Sequence, residues 1–269
     1  MIEKQLVKNF WEKASCGEDL YLKGFSQVDY NNQATYRYTL EPEILDFANF
    51  QEFRGKKTLE IGVGLGADHQ KLAEAGADLF GIDLTERAIN HTQRRLDLLG
   101  LKSTLQIGDA ENLPFEDNFF DAVYSWGVLH HSPDTSKAIH EAYRVLKPGG
   151  SAKIMIYHKN SMVGFMLWMR FGLLRFKPFI SWDTLYENFL ESPGTKAYTR
   201  KEASLLFKDF QILNLDTPLN HADLLNSDVG QRHRGIFLRI AKKLWPRPLI
   251  KTFFPKNGIE MLIHCMKPF

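Results

Sequence analysis

The sequence predicts an α/β fold in which helices flank a parallel sheet. Short apolar runs and amphipathic helical patterns alternate five times between residues 56 and 158. The chain has 269 residues, of which 44% are hydrophobic and 25% are charged, so it can bury a large core without disulfides or metal ions. Collagen-like, disordered and disulfide-stapled proteins are therefore excluded as classes.

Each predicted strand is followed by a helix or by a turn signal. The predicted strands are Lys57–Ile61, Leu79–Ile82, Thr104–Ile107, Phe120–Tyr124, Ala152–Tyr157, Phe210–Leu215 and Gly258–Met266. The clearest helix is Thr85–Leu99, which has one apolar face and stops at Gly100. A further helix is predicted to start at Ser132 and Pro133 and to end at residues 147–150. This alternation places neighbouring strands in parallel through right-handed crossovers.

Three further segments surround the core of residues 56–158. Residues 1–55 are predicted to be mainly helical, and residues 159–198 form an apolar, aromatic helical insertion. Residues 199–269 supply the last two strands. Between those strands, residues 217–257 are too many for a structureless loop in a compact domain, so they are expected to form helices.

A glycine turn follows the first strand and precedes a helix. Gly62, Gly64 and Gly66 allow a tight turn and a close approach of the backbone to a ligand. The helix N-terminus behind them leaves backbone N–H groups available. The same turn also fits the dinucleotide pattern G-x-G-x-x-A, so by itself it does not separate two classes of cofactor.

Three acidic residues lie at the ends of neighbouring strands. Glu60 precedes the glycine turn, where a buried carboxylate can orient the turn or accept from a cationic amine. Asp83 ends the second strand and suits a pair of ribose hydroxyls, while Asp109, followed by Ala110, suits an exocyclic amine and a ring nitrogen. For any one of these acids, a turn or capping role is an equally good explanation. Their conjunction at one sheet edge predicts a shared ligand.

Five motifs occur in order within residues 56–158. They are Leu59–Gly66, Gly81–Leu84, Gly108–Phe115, Phe120–Ser125 and Arg144–Gly150. Together they resemble the motifs of class I S-adenosylmethionine-dependent methyltransferases, nearest to the type 11, quinone-biosynthesis-like small-molecule subgroup. The resemblance implies a Rossmann-like doubly wound sheet of seven strands with the last strand antiparallel. It also implies S-adenosylmethionine as cofactor, a lid role for residues 1–55, and in-line methyl transfer to an oxygen or nitrogen of a small molecule.

The resemblance also implies a role for each cofactor-site residue. Gly62 and Gly64 would pack against the methionine part of the cofactor, and Gly66 completes the turn. Asp83 would hold the ribose, with Leu84 against the adenine. Asp109 and Ala110 would hold the adenine edge, and Ser125 and Trp126 would lie beside the sulfonium arm.

Four residues are candidates for a general base, which is needed only if the acceptor must lose a proton. They are His130 and His131 after strand four, and Tyr157 and His158 at the end of strand five. Histidine suits this role because it titrates near neutral pH. A capping or loop histidine is the alternative for each. Cys16 and Cys265 show no metal-ligand spacing, so no metal is expected.

Acceptor and partners are indicated only by composition. Residues 217–257 carry a net charge of +6, and Met162–Phe179 is apolar with three basic residues. A solvated helix with its apolar face on the core is the simpler explanation. An anionic or lipid-like acceptor, or peripheral contact with an anionic membrane, is the alternative. No apolar run approaches the roughly 20 residues that span a bilayer, and no base-flipping motif indicates nucleic acid. The prediction is a cytoplasmic protein.

Two rival functions remain beside a methyltransferase. An NAD(P)-dependent oxidoreductase would need a Tyr-x-x-x-Lys pair after strand five, but Ser161 stands four residues after Tyr157. A non-catalytic cofactor-binding protein is disfavoured by the complete set of motifs. The sequence assigns neither the acceptor nor an oligomeric state.

Overall fold

A seven-stranded mixed sheet organises the computed structural model, which describes residues 2–227 and 236–269. The strands are β1 (Lys57–Ile61), β2 (Asp78–Asp83), β3 (Thr104–Ile107), β4 (Phe120–Trp126), β5 (Leu146–Tyr157), β6 (Gln211–Asp216) and β7 (Glu260–Met266). Their order is β3-β2-β1-β4-β5-β7-β6. β1 to β5 pair in parallel, whereas β7 is antiparallel to both β5 and β6. The predicted fold class is confirmed.

Helices precede, flank and extend this sheet. They are α1 (Ile2–Lys13), α2 (Glu18–Tyr21), α3 (Gln27–Leu40), α4 (Glu43–Ala48), α5 (Ala67–Glu74), α6 (Glu86–Leu99), α7 (Thr135–Val145), α8 (Met162–Leu167), α9 (Trp182–Phe189), α10 (Arg200–Leu206), α11 (Ile236–Leu244) and α12 (Arg247–Phe253). Short 3₁₀ turns cover Phe50–Phe53, Leu129–His131 and Leu173–Arg175, and a π-helical turn covers Trp168–Gly172. Among the helices so described, none is long and apolar enough to cross a bilayer.

The central strands are apolar because helices cover both faces of the sheet. In β4, every residue except Asp121 is buried, as expected for a strand without a solvent face. On one face α7 packs its apolar side, including Ala138, Ile139 and Ala142, into the core. On the other face the N-terminal helices and α5 supply a second apolar cluster that includes Ile44 and Leu72.

β5 begins earlier than the sequence predicts. The run Lys147-Pro148-Gly149-Gly150, predicted to end a helix, lies inside the strand. Leu146 already pairs with Phe120, and the register shifts at a bulge before Ser151 pairs with Ala122. The helix before it also starts later than predicted, because Asp134 rather than Ser132 caps α7. Turn residues in a strand of this kind mark a bulge rather than an end.

Helical insertions follow β5 and β6, as predicted. Phe171 and Phe189 stack at 4.1 Å and hold the first insertion together. The second insertion includes α11 and α12, while residues 228–235 of the predicted 217–257 segment lie outside the described residues. The buried Asp223 joins the insertions to the sheet, since its carboxylate accepts backbone N–H groups from Val163 (3.3 Å) and Ile259 (2.9 Å).

Candidate functional site

The glycine turn between β1 and α5 forms one wall of a cavity at the carboxyl edge of the sheet. Gly62, Gly64 and Gly66 have φ values of +84°, +52° and +75°. A Cβ at Gly62 would lie 2.1 Å from Cγ2 of Val128, so this glycine is required by protein packing. A Cβ at Gly64 would meet no atom within 4 Å, so this glycine faces open space. Glycine is therefore favoured at the two positions for different physical reasons: close packing against Val128 at Gly62, and open space in the cavity at Gly64.

Asp83 ties the glycine turn to the next βα unit. Its Oδ2 accepts the Gly64 N–H at 3.2 Å, and its Oδ1 accepts the Thr85 N–H at 3.0 Å and hydroxyl at 2.8 Å. Burial raises the pKa of Asp83, although these hydrogen bonds act in the opposite direction. The carboxylate therefore lies beside the turn at the end of β2, as the sequence predicts.

Asp109, at the end of β3, contacts the N-terminal helix. Its Oδ1 accepts the Glu111 N–H at 2.9 Å, and Lys4 Nζ of α1 lies 2.6 Å from its Oδ2. The same ammonium is 2.6 Å from Oε2 of Glu111. The helix α1 is therefore fixed at the edge of the cavity by charge-assisted hydrogen bonds. No pattern in the sequence indicated this role for Lys4.

Glu60 is bound to a histidine behind the glycine turn. Its Oε2 lies 2.7 Å from Nδ1 of His69, whose Nε2 lies 2.8 Å from Ser103 Oγ. Because Ser103 Oγ donates to the Leu79 carbonyl, it accepts at His69, which leaves Nδ1 as the acceptor of a neutral ring. Burial raises the pKa of Glu60 and lowers the pKa of His69 to about 3, so a protonated Glu60 donates to neutral His69.

Arg37 reaches the cavity from α3 and is shared between carboxylates. Its guanidinium lies 3.0 Å from Oδ2 of Asp68 and 3.3 Å from Oε2 of Glu41. Asp68 also accepts the hydroxyls of Tyr38 (2.9 Å) and Tyr124 (3.0 Å). This network fixes α3 against the first turn of α5.

Most of the residues singled out by the sequence line this first cavity. Those that do are Glu60, Gly62, Gly64, Gly66, Asp83, Leu84, Asp109, Ala110, Trp126, His131 and Tyr157. Ser125, His130 and His158 lie behind its wall. Within the described residues, no group of three or more acidic, histidine or cysteine side chains is arranged to bind a metal.

The three residues behind the wall have structural surroundings. Ser125 is buried and donates to the Ile61 carbonyl at 2.9 Å. His158 is buried with Nδ1 at 3.1 Å from the Gly258 carbonyl. His130 is fully buried, 3.9 Å from the Tyr157 ring, and neither of its nitrogens has a hydrogen-bond partner among the described residues. Burial lowers its pKa well below the usual range, which keeps the ring neutral.

A tyrosine, a glutamate and a histidine meet at the far end of the cavity. The Tyr157 hydroxyl donates to Oε2 of Glu191 at 2.8 Å, and Nε2 of His131 lies 3.5 Å from the same oxygen. Burial and the Glu191 charge raise the pKa of Tyr157 well above its usual range. Burial lowers the pKa of His131 to about 3. Glu191 lies in the 159–198 insertion, carries no motif, and was missed by sequence reasoning.

A second cavity of about 600 Å³ adjoins the first. Its walls come mainly from α1 to α3 and from the insertions after β5 and β6, and they are mostly apolar. Side chains that line both cavities include Trp11, Arg37, Glu41, Tyr157, Glu191 and Glu260. A volume of this size suits a small organic molecule. A ligand in the first cavity and one in the second would therefore meet beside Tyr157 and Glu191.

Comparisons with known proteins concern both the core and the whole chain. Residues 59–154 match the family model described as a methyltransferase domain. The chain is similar to demethylmenaquinone methyltransferase of Symbiobacterium thermophilum, with 28% identity over 242 residues that cover 78% of this chain and 92% of that protein. It is also similar to phosphoethanolamine N-methyltransferase 2 of Caenorhabditis elegans, with 38% identity over 114 residues that cover 41% of this chain and 26% of that protein.

Solved structures share the architecture across nearly the full length. Magnesium protoporphyrin IX methyltransferase from Synechocystis PCC 6803, solved with bound SAH, has a TM-score of 0.60 at 14% identity and covers 98% of this chain and 99% of that chain. At this identity the likeness concerns the fold. The chain spans 26%, 38% and 40% of the length of three curated relatives that it matches.

Proposed function

We propose that this chain, which belongs to the class I S-adenosylmethionine-dependent methyltransferases, transfers a methyl group to a small, largely apolar acceptor. The methyl group would go to an oxygen or nitrogen atom of that acceptor. The observation that carries this proposal is the shared wall between the two cavities. A donor held at the glycine turn and an acceptor held in the apolar cavity would meet at Tyr157 and Glu191.

The residues of the first cavity fit the donor. Open space over Gly64 admits a ligand against the turn, and Asp83 offers acceptors for ribose hydroxyls. Asp109 and Ala110, with Leu84 nearby, offer polar and apolar contacts for the adenine ring. When bound, S-adenosylmethionine supplies a methyl group on a positively charged sulfur.

Glu191 is the proposed base for an acceptor that must lose a proton. Its carboxylate lies at the junction of the cavities and already accepts from the Tyr157 hydroxyl, so it is oriented toward the acceptor space. The acceptor proton would pass to Glu191, while Tyr157 and neutral His131 keep the carboxylate in place. We retain Tyr157 and His131 as positioning residues. The remaining rate enhancement would come from two effects: the cavities orient the donor and acceptor, and α1 and the insertions exclude water.

The acceptor is proposed to have an apolar body. The second cavity is lined by side chains such as Met166, Leu167, Leu225, Leu238 and Trp245. A relative of similar length is named for demethylmenaquinone, whereas another is named for N-methylation of phosphoethanolamine. The lining of the cavity favours the apolar class of acceptor over the small polar class.

Peripheral contact with an anionic membrane is proposed as the route for such an acceptor. Phe176 and Phe179 are 95% and 99% exposed beside Arg175 and Lys177. Leu174 and Leu244 are exposed and also line the second cavity, so its mouth opens at an apolar, basic surface. This combination is typical of interfacial anchoring. The protein should sediment with phosphatidylglycerol vesicles but not with phosphatidylcholine vesicles, and the F176S/F179S double variant should lose this binding.

A product assay tests the function directly. Protein would be incubated with S-adenosylmethionine labelled in the methyl group and with a panel of hydroquinones, phenols and amines that carry apolar chains, beside sugars and polar metabolites. Labelled product from the apolar set is expected. Calorimetry should show binding of S-adenosylhomocysteine, and the D83N variant should bind it about ten- to a hundredfold more weakly, because a charged acceptor is lost. Binding of a pyridine dinucleotide instead would contradict the proposal.

A further inference from the structure

A buried carboxyl group lies in the wall between the two cavities without a full set of partners. Glu260 is the first residue of β7 and pairs in register with Tyr157 of β5. It is 3% exposed, and it lines both cavities. Its Oε2 atom has no hydrogen-bond partner among the described residues. Buried polar atoms in native proteins are nearly always paired, so this oxygen requires an explanation.

Other carboxyl groups surround this oxygen, and Glu260 shares a side-chain hydrogen bond with Glu43. Glu41 and Glu43 both lie close enough to raise the pKa of Glu260, in addition to the larger effect of burial. Oε1 of Glu43 is also buried without a hydrogen-bond partner among the described residues. Glu41, Glu191 and Glu260 line the junction of the two cavities, and Glu43 lies beside Glu260.

The basic side chains near these acids already have partners. Arg37 is divided between Asp68 and Glu41, and Nε2 of His221 lies 3.7 Å from Glu41. Neither is paired with Glu260 or Glu43 in the part of the chain that the structure describes. Asn220, whose side chain is hydrogen-bonded to Glu260, is neutral. Glu260 and Glu43 therefore share a proton in place of a cation, and each still has one buried oxygen without a donor among the described residues.

We propose that Glu260, with Glu41 and Glu43 beside it, forms a subsite for a cationic amine carried by the acceptor. An ammonium group supplies a donor to Oε2 and a positive charge that stabilises the ionised form of these acids, whereas a hydroxyl group supplies only a donor. The apolar cavity beside the subsite holds the rest of the molecule. This inference rests on the proposed function, since it names the class of acceptor: an amine on an apolar body.

The amine of the methyl donor is the competing occupant. Glu260 also faces the first cavity, and S-adenosylmethionine carries an α-ammonium group of its own. S-adenosylhomocysteine, the by-product of the donor, contains the donor amine but does not contain the acceptor amine. Binding of the by-product therefore separates them.

Simple amphiphiles test the subsite without knowledge of the acceptor. Octylamine, 1-octanol and octanoate share one apolar chain and differ in the head group. Binding to the wild-type protein would be measured by calorimetry at pH 7 in the presence of saturating S-adenosylhomocysteine. Octylamine is expected to bind about tenfold more tightly than 1-octanol, and octanoate more weakly than either. Equal affinities of octylamine and 1-octanol would overturn the proposal, and this comparison requires no variant.

A matched pair of variants locates the effect. Glu260→Gln removes the charge with little change of shape and should bring octylamine to within about twofold of 1-octanol. Glu187→Gln is the control, because Glu187 is an exposed acid on α9 outside both cavities. It should preserve the wild-type preference for octylamine. Circular dichroism would verify that both variants fold.

The by-product titration distinguishes failure of the subsite from failure of the proposed function. If Glu260→Gln weakens S-adenosylhomocysteine as strongly as octylamine, Glu260 holds the donor amine and the proposal is wrong. If S-adenosylhomocysteine binds normally but the amine preference is absent, the subsite fails and the methyltransferase function stands. If the wild-type protein does not bind S-adenosylhomocysteine, the proposed function fails whatever the amphiphiles do.

Discussion

Lys4 Nζ and Asp109 Oδ2 lie 2.6 Å apart across the mouth of the first cavity. The two residues are separated by 105 positions in the chain, and their side chains are 29% and 32% exposed. The contact joins α1 to the carboxyl end of β3, where Asp109 is proposed to hold the adenine edge. We propose that it keeps α1 closed over the donor.

Lys4→Met should accelerate dissociation of S-adenosylhomocysteine. Loss of two charge-assisted hydrogen bonds frees α1 to open, so we expect a severalfold increase in the dissociation rate in stopped-flow fluorescence and faster amide exchange in α1. Lys8→Met, another change of lysine on α1, is the control and should leave both rates unchanged. Slower dissociation would instead mean that Lys4 competes with the adenine for Asp109.

Gly64→Ala should impair donor binding more than it impairs folding. Its positive φ makes alanine unfavourable by about 1 kcal/mol, but a methyl group there would meet no protein atom. Gly100→Ala is a close control, because Gly100 has φ +65° and also no atom within 4 Å. Both variants should lose similar unfolding free energy in urea titrations. Only Gly64→Ala should weaken S-adenosylhomocysteine, by about tenfold or more, and equal affinities would remove Gly64 from the binding surface.

Glu191→Gln should slow turnover without weakening the donor. Loss of the carboxylate removes the proposed proton acceptor, so kcat should fall about 10²-fold or more on an acceptor identified by the labelled-donor assay. Tyr157→Phe should lower kcat less, since Tyr157 orients Glu191 through its 2.8 Å hydrogen bond. Affinity for S-adenosylhomocysteine should be unchanged in both. Unchanged kcat in Glu191→Gln would show that the acceptor needs no base at this position.

Asp223→Asn should change the pH dependence of stability. Burial raises the pKa of Asp223 to about 7, which is above the value of about 3.9 expected in the unfolded chain. The native protein therefore binds this proton more tightly than the unfolded chain does. The resulting contribution of Asp223 to the free energy of unfolding is fully present below about pH 4 and is lost as the pH rises through 7. The unfolding free energy of Asp223→Asn minus that of the wild type should become more positive from pH 5 to pH 8.

Urea titrations at the two pH values measure this difference, and Asp209→Asn is the matched control. Asp209 is an exposed acid in the turn after α10. Its substitution should give the same difference from the wild type at both pH values. A constant difference for Asp223→Asn as well would show that Asp223 is ionised throughout this range.

The sequence alone determined the sheet and the edge at which the glycine turn meets Asp83 and Asp109. Consecutive βα units must run in parallel, so the residues that end β1, β2 and β3 meet at one edge whatever their packing details. The glycine turn, Asp83 and Asp109 therefore line one cavity, as their order in the chain predicts. The early start of β5 was not foreseen, because a bulge admits Pro148 and two glycines into a strand.

Only the tertiary structure decided which side chains meet at the junction of the two cavities. His130 and His131 are neighbours in one 3₁₀ turn, yet His131 lines the cavity and His130 lies behind Tyr157. Ser125 and Trp126 likewise point to opposite faces of β4, as successive residues of a strand do. Glu191 and Glu260 carry no motif and reach the junction because an insertion and an antiparallel strand fold back onto the sheet edge. Such contacts depend on how distant segments pack, which local sequence patterns do not encode.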